Sequence, residues 1–121
     1  MPTINEVIER VSRTKPNTLS DKDKARILIE LDGRVYAETT GADEPDRHPP
    51  RKWPEDGDKP LLVEAPRDNI YDLYLTAMIE FYMREYANYN NTVELFNEAY
   101  QSYRAWYRRT HMPRQTAQVR L

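Results

Sequence analysis

The residues of this chain whose types suit chemistry are His48, His111 and an arginine-rich run at 104–109. Neither histidine has a second histidine or a carboxylate at ligand spacing on a shared helix face, so we predict no metal site. Glu80 and Glu85 lie too far apart around a helix to work as a pair of catalytic carboxylates. Glu80 instead precedes Arg84 by four residues, which predicts a surface ion pair.

The composition removes several other kinds of site. The chain has no cysteine, which excludes disulfides, thiolate catalysis and cysteine-ligated metals. Only three glycines are present, and no phosphate-binding, dinucleotide-binding, zinc-protease or serine-hydrolase motif occurs. We therefore predict a protein that is not an enzyme and has no cofactor.

The arginine-rich run is interleaved with Trp106 and Tyr107, a pattern that also occurs in nucleic-acid-binding surfaces. The aromatic residues, however, follow the apolar face of a helix. The arginines follow its polar face near the C-terminal end, where cations complement the helix dipole. A nucleic-acid-binding regulator is therefore the alternative function and not the first.

Length and charge indicate one ordinary domain. The chain has 121 residues, 39% of them hydrophobic and 31% charged, with a net charge of −2. This charge gives no general attraction to nucleic acid or to anionic membranes. We see neither a signal peptide nor an apolar run of the roughly 20 residues that cross a bilayer. The expected product is soluble and intracellular.

Two helices are predicted in the first 38 residues. Thr3 caps the first, with Glu6 completing a capping box, and the helix must end before the Lys15–Pro16 break. Ser20 caps the second. Gly33 interrupts this second helix at a cost of about 1 kcal/mol relative to alanine. It marks either a close packing contact or an early end.

A long helical hairpin over residues 68–112 is the predicted centre of the fold. This stretch holds eight of the nine tyrosines. Asp68 is the predicted N-cap of its first helix, which runs to residue 89. The pattern resets at Tyr89–Thr92, and a second helix runs over 93–111. One unbroken helix is the alternative. The fold class is thus all-α, with about four helices built around this hairpin.

Residues 39–67 differ in kind, because six of the nine prolines fall there. Prolines remove backbone donors and fix φ, so we predict no helix in this stretch and an extended loop over 40–62. Leu61–Val63 is predicted as a short strand or an apolar tether to the core. The loop is either a mobile surface segment with Trp53 against the body or an arm that orders on a neighbouring protein. Residues 113–121 are predicted to be a flexible tail.

The surplus of aromatic residues predicts association with other subunits. Two short N-terminal helices have little surface with which to cover the hairpin, and tyrosine is a common interface residue. The predicted subunit interface comprises Tyr71, Leu75, Met78, Tyr82, Tyr86, Tyr89, Tyr103 and Trp106.

Seven phrases give the chain a family likeness: TINEVI at 3–8, KPN at 15–17, LDGRVY at 31–36, LLVEAP at 61–66, IY at 70–71, EYANYNN at 85–91 and WYRRTHMP at 106–113. Together they resemble the head–tail connector, or adaptor, proteins encoded by tailed phages and prophages of Gram-positive bacteria. The resemblance covers nearly the whole chain apart from residues 40–60 and the last few positions.

The resemblance implies a structural virion protein. Such a subunit would form a ring of about twelve copies beneath the portal, extend the DNA channel without reading its sequence, and contact a tail-joining protein. It would be found in the virion, and in the host cytoplasm during assembly. By the same analogy, docking to the portal or another partner falls to Trp53, Arg108, Arg109, Arg114, Arg120 and Leu121.

Overall fold

The computed structural model describes residues 2–44 and 46–111, and it is all-helical, as predicted. Its helices are α1 (Ile4–Thr14), α2 (Asp21–Glu38), α3 (Thr40–Asp43), α4 (Asn69–Tyr82) and α5 (Tyr86–His111). Those residues form no strand, only one isolated antiparallel bridge between Thr3 and Pro60. Among them, no helix has the length and apolarity needed to cross a membrane.

The first two helices begin where their capping residues predict. The Thr3 hydroxyl accepts a hydrogen bond from the Glu6 amide at 3.2 Å, and the Ser20 hydroxyl accepts one from the Asp23 amide at 3.1 Å. Each cap satisfies a backbone donor that the first turn of a helix leaves unpaired. The first helix ends one residue before the Lys15–Pro16 break, and both helix starts are confirmed.

The turn between α4 and α5 lies at 83–85, so the predicted break at Tyr89–Thr92 is wrong. The Arg84 amide donates to the Phe81 carbonyl at 3.1 Å, and the Glu85 amide donates to the Glu80 carbonyl at 2.9 Å. Arg84 itself has a left-handed backbone, with φ at 61°. These two bonds around a left-handed residue form the Schellman helix ending, which glycine usually supplies.

The two adjacent asparagines that suggested a break lie inside α5 instead. Asn90 and Asn91 are both exposed on this 26-residue helix. An exposed asparagine lowers helix stability by only a few tenths of a kcal/mol, which the packing of the long helix outweighs.

Helices α4 and α5 run in opposite directions. The Tyr74 and Phe96 rings lie 5.1 Å apart, and the Phe81 and Tyr89 rings lie 5.3 Å apart. The Arg67 guanidinium lies 4.4 Å from the centre of the Trp106 ring. From the turn outward, the partner positions fall from 81 to 74 to 67 on one side and rise from 89 to 96 to 106 on the other, as expected for antiparallel helices.

Asp68 stands before α4 as predicted, but its carboxylate makes no capping hydrogen bond. It lies 3.4 Å from the Arg10 guanidinium, which also donates to both carboxylate oxygens of Asp72 at 2.6 and 3.1 Å. The two aspartates therefore fasten α1 to the start of α4.

The core joins all the long helices with two residues from the proline-rich segment. It is one cluster of buried apolar side chains: Ile4, Val7, Ile8, Val11, Ala25, Ile27, Leu28, Leu31, Val35, Leu61, Val63, Ile70, Tyr71, Leu75, Ile79, Phe96, Tyr100, Tyr103 and Tyr107. Leu61 and Val63 act as an apolar tether without forming a strand. The prediction of no helix over 39–67 is wrong at α3, because the first proline within this stretch comes only at position 45.

Candidate functional site: an exposed aromatic tip

The turn between α4 and α5 carries large apolar side chains that the other described residues leave uncovered. The exposed fractions are 44% for Phe81, 50% for Tyr82, 38% for Met83 and 52% for Tyr86. We call these four residues the aromatic tip. Three are consecutive, and consecutive helical positions point in directions about 100° apart, so one core cannot enclose all of them.

Phe81 lies at the centre of the tip. Its ring centroid is 5.9 Å from that of Tyr82, 6.0 Å from that of Tyr86 and 5.3 Å from that of Tyr89. The first two pairs have the edge-to-face geometry that aromatic rings prefer. The rings therefore support one another and present their outer surfaces to solvent.

The base of the tip is held by Lys15 from the end of α1. Its ammonium nitrogen lies 2.5 Å from the Glu85 carboxylate and 3.4 Å from that of Glu80. The hydrogen bond with Lys15 lowers the pKa of Glu85, and the same bond raises the pKa of Lys15. The predicted pair of Glu80 with Arg84 is absent, because Arg84 has left the helix. The ion pairs instead fix the turn to α1.

The structure divides the predicted interface residues into three groups. Tyr82 and Tyr86 are about half exposed, and Met78, Tyr89 and Trp106 are partly buried. The prediction is wrong for Tyr71, Leu75 and Tyr103, which are buried inside the single chain. The first two lie on the side of α4 that faces the N-terminal helices, and Tyr103 lies beneath the proline-rich segment.

The predicted docking residues are also dispersed. Arg108 and Arg109 are exposed in the last turn of α5. Trp53 is partly buried, and its indole nitrogen donates to the Asn5 side chain at 3.0 Å, so it attaches the loop to α1. Arg114, Arg120 and Leu121 lie outside the described residues.

A buried carboxylate on α2, which the sequence analysis missed, anchors the loop. One oxygen of Asp32 accepts hydrogen bonds from the Tyr71 hydroxyl at 2.6 Å and the Leu62 amide at 3.0 Å. Its other oxygen lies 2.6 Å from Nε2 of His48. The Tyr71 oxygen in turn accepts from the Val63 amide at 2.9 Å. Burial and the neighbouring Asp32 charge raise the pKa of Tyr71, which keeps its proton for this bond.

His48 therefore does have a carboxylate partner, which helix α2 supplies. No local spacing reveals it, because the two residues are 16 positions apart and belong to different elements. A carboxylate that orients a histidine also occurs in catalytic triads. Both oxygens of Asp32 hold the loop, however, and the arrangement fits a structural anchor. Among residues 2–44 and 46–111, no three metal-ligating side chains converge.

A polar cavity of about 320 Å³ lies between the loop and the C-terminal half of α5. Its wall includes cationic and aromatic side chains, among them Arg47, Arg51, His48, His111, Trp106 and Tyr107. The Tyr107 and His111 rings are stacked, with centroids 3.9 Å apart. This end of α5 is thus lined by the loop, whereas the opposite end carries the bare tip.

Comparison with known proteins identifies no relative: no family model, no curated protein and no solved structure matches this chain.

Proposed function

We propose that the protein is a structural subunit that joins the head of a tailed phage or prophage particle to its tail. In this proposal, copies assemble as a ring on the portal, the ring continues the DNA channel, and a tail-joining protein binds its other side. The aromatic tip is the observation that carries the proposal. The resemblance to head–tail connectors supplies the identity of the partners.

The size of the tip fits an assembly contact. A large aromatic side chain contributes roughly 150–250 Å², so four side chains about half exposed present roughly 400 Å². A standard protein interface buries about 800 Å² on each partner. The tip would thus supply about half of one side of such an interface. The remainder must come from surface beside it or from a larger assembly.

The chemistry of the tip favours a protein partner over a small ligand. Tyrosine and phenylalanine are enriched at the centres of protein interfaces, where their rings bury large areas at low entropic cost. Tyr82 lines a pocket with Leu19, Asp23 and Arg26, but the volume of this pocket, about 160 Å³, is below the roughly 300–1,000 Å³ of small-molecule sites.

The test replaces both half-exposed tyrosines of the tip in the phage genome that encodes the chain. Tyr82→Ser with Tyr86→Ser should leave filled heads and separate tails in the lysate, counted by electron microscopy, while the purified variant keeps its helical circular dichroism. Leu95→Ser is the matched control, because Leu95 is a large hydrophobic residue, 54% exposed, on α5 away from the tip. Joined particles at the normal frequency from the double variant would refute the proposal.

The alternative, a nucleic-acid-binding regulator, rests on the exposed Arg108 and Arg109 at the end of α5. It predicts tight DNA binding by the isolated chain that weakens steeply with salt. Binding of that kind, lost on Arg108→Ala with Arg109→Ala, would favour the regulator over the connector.

A further inference from the structure

A second surface lies on α2, where a groove separates this helix from the segment after α3. The groove has a volume of about 540 Å³ and a mainly apolar wall formed by Ile29, Gly33, Tyr36, Pro49 and Pro50. Asp46 and Arg51 line its edge, and the Asp32–His48 pair lies at its base. We call it the Gly33 groove. It shares no residue with the aromatic tip, so one copy can use both surfaces at once.

Gly33 is the glycine that contacts among residues 2–44 and 46–111 do not explain. A Cβ atom on Gly41 would lie 2.7 Å from the Tyr36 carbonyl oxygen, and one on Gly57 would lie 2.6 Å from the Asn5 side chain. At Gly41 the obstacle is backbone, which excludes a larger residue, whereas at Gly57 the Asn5 side chain would have to move. A Cβ atom on Gly33 would meet nothing within 4 Å, and α2 continues past it to Glu38. The predicted early helix end is therefore wrong, and residues 2–44 and 46–111 of the same copy do not supply the predicted close packing contact.

A glycine inside a helix is less favourable than alanine, and its usual benefit is close approach of another group to the backbone. Nothing in the described part of the chain makes that approach. The open floor of the Gly33 groove thus fits an occupant other than residues 2–44 and 46–111 of the same copy. The apolar wall further indicates that this occupant is apolar or aromatic.

The charges of the two surfaces are complementary. Arg84 is exposed at the apex of the aromatic tip, where the ordered turn fixes its backbone, and Asp46 is exposed at the edge of the groove. Within the described residues, neither side chain belongs to an ion pair. Other nearby charges are already engaged: Glu85 pairs with Lys15, and Arg51 donates to the carbonyls of Pro49 and Pro60.

We infer that the Gly33 groove receives the aromatic tip of a second copy of this chain, with Arg84 of one copy against Asp46 of the other. The inference rests on the proposed function, in which the tip is an assembly surface, and it names what the tip binds. In each contact the roughly 400 Å² of the tip lies on one side and the walls of the groove lie on the other, and each copy in a ring takes part in two such contacts. Every copy both offers a tip and accepts one, so the contact can repeat around a ring.

The chain has no native cysteine, so any disulfide that forms must join the introduced cysteines. The test uses this to measure one chosen contact. Chains with Arg84→Cys are mixed with chains with Asp46→Cys over a range of concentrations and treated with a mild oxidant. We expect covalent dimers at least tenfold more abundant than those from the matched mixture of Arg84→Cys with Glu98→Cys, because Glu98 is exposed on α5 outside the groove. Equal yields from the two mixtures would overturn the inference.

A second variant fills the groove without touching the core. Gly33→Gln places a good helix former where space is open, so the thermal midpoint of the chain should not fall. The same substitution in the Asp46→Cys chain should lower the dimer yield with Arg84→Cys at least fivefold. An unchanged yield would exclude the groove as the site. If both tests failed while the tip variant still left heads without tails, the proposed function would stand and only this contact would be removed.

Discussion

The two ends of the α4–α5 pair carry the same kinds of side chain in opposite environments. At one end Tyr71, Tyr103 and Tyr107 are buried beneath α2 and the proline-rich segment. At the other, Tyr82 and Tyr86 are about half exposed. The helices themselves do not differ in character along their length. The difference lies in what else packs against them, because the proline-rich segment, with Leu61 and Val63 buried in the core, covers one end.

The covered end should determine stability and the tip should not. Tyr103→Ala is expected to lower the free energy of unfolding by about 3–5 kcal/mol, since it leaves a cavity in the core. Tyr86→Ala should change it by no more than about 0.5 kcal/mol, because that ring is half exposed. Urea unfolding followed by circular dichroism measures both. Equal losses would mean that the two ends are not different.

The proline-rich segment should behave as core at its buried residues. Leu61→Ala is expected to destabilise the protein by about 2–3 kcal/mol, since Leu61 is 2% exposed. Glu55→Ala, at an exposed position of the same segment, is the control and should have almost no effect. The same urea titration applies. If Leu61→Ala left the free energy of unfolding almost unchanged, the segment would not be covering the helices.

The covered end should also make the protein sensitive to alkali. Burial, with a further contribution from the Glu38 carboxylate, raises the pKa of Tyr100 to about 12. In the unfolded chain a tyrosine ionises with a pKa of about 10. Between these values the unfolded state holds fewer protons, so stability falls as pH rises from about 10 to 12. Tyr100→Phe should make this fall shallower in thermal melts at successive pH values. An unchanged slope would contradict the assignment.

The turn that supports the tip should gain stability from glycine. Arg84→Gly removes the strain of a left-handed backbone and should raise the free energy of unfolding by about 1 kcal/mol. Ala87→Gly, three residues later and inside α5, should lower it by a similar amount. Chemical unfolding of both variants tests the pair. Destabilisation by both would show that the Arg84 side chain, and not the backbone, holds the turn.

Local signals predicted the starts of α1 and α2 but not the turn between α4 and α5. Thr3 and Ser20 cap their helices because a cap depends only on a residue and the amide three positions on. The end of α4 escaped prediction because Arg84, an ordinary residue, occupies a position where glycine is expected. The asparagine pair, a local signal for a break, was outweighed by the packing of α5.

The candidate site depends on contacts that no local pattern contains. Tyr71 and Tyr82 both belong to an apolar stripe of α4, and the sequence alone does not say which one is covered. The answer depends on Asp32, which binds Tyr71 across 39 positions and the Leu62 amide across 30. The apolar run of three residues at Phe81–Met83 was the one available sign of an exposed tip, because a helix cannot bury them all on one side.

Helix α5 makes the geometry of the two ends interdependent. Its 26 residues form a rod about 39 Å long that extends from beneath the loop to the tip. If this rod pivots at its C-terminal end by about 5°, its far end moves by roughly 3 Å, about the length of a hydrogen bond. A small change in the position of the loop against one end of α5 would therefore produce a larger displacement at the other end. In the proposed assembly, this displacement would alter the contact between subunits joined through the tip.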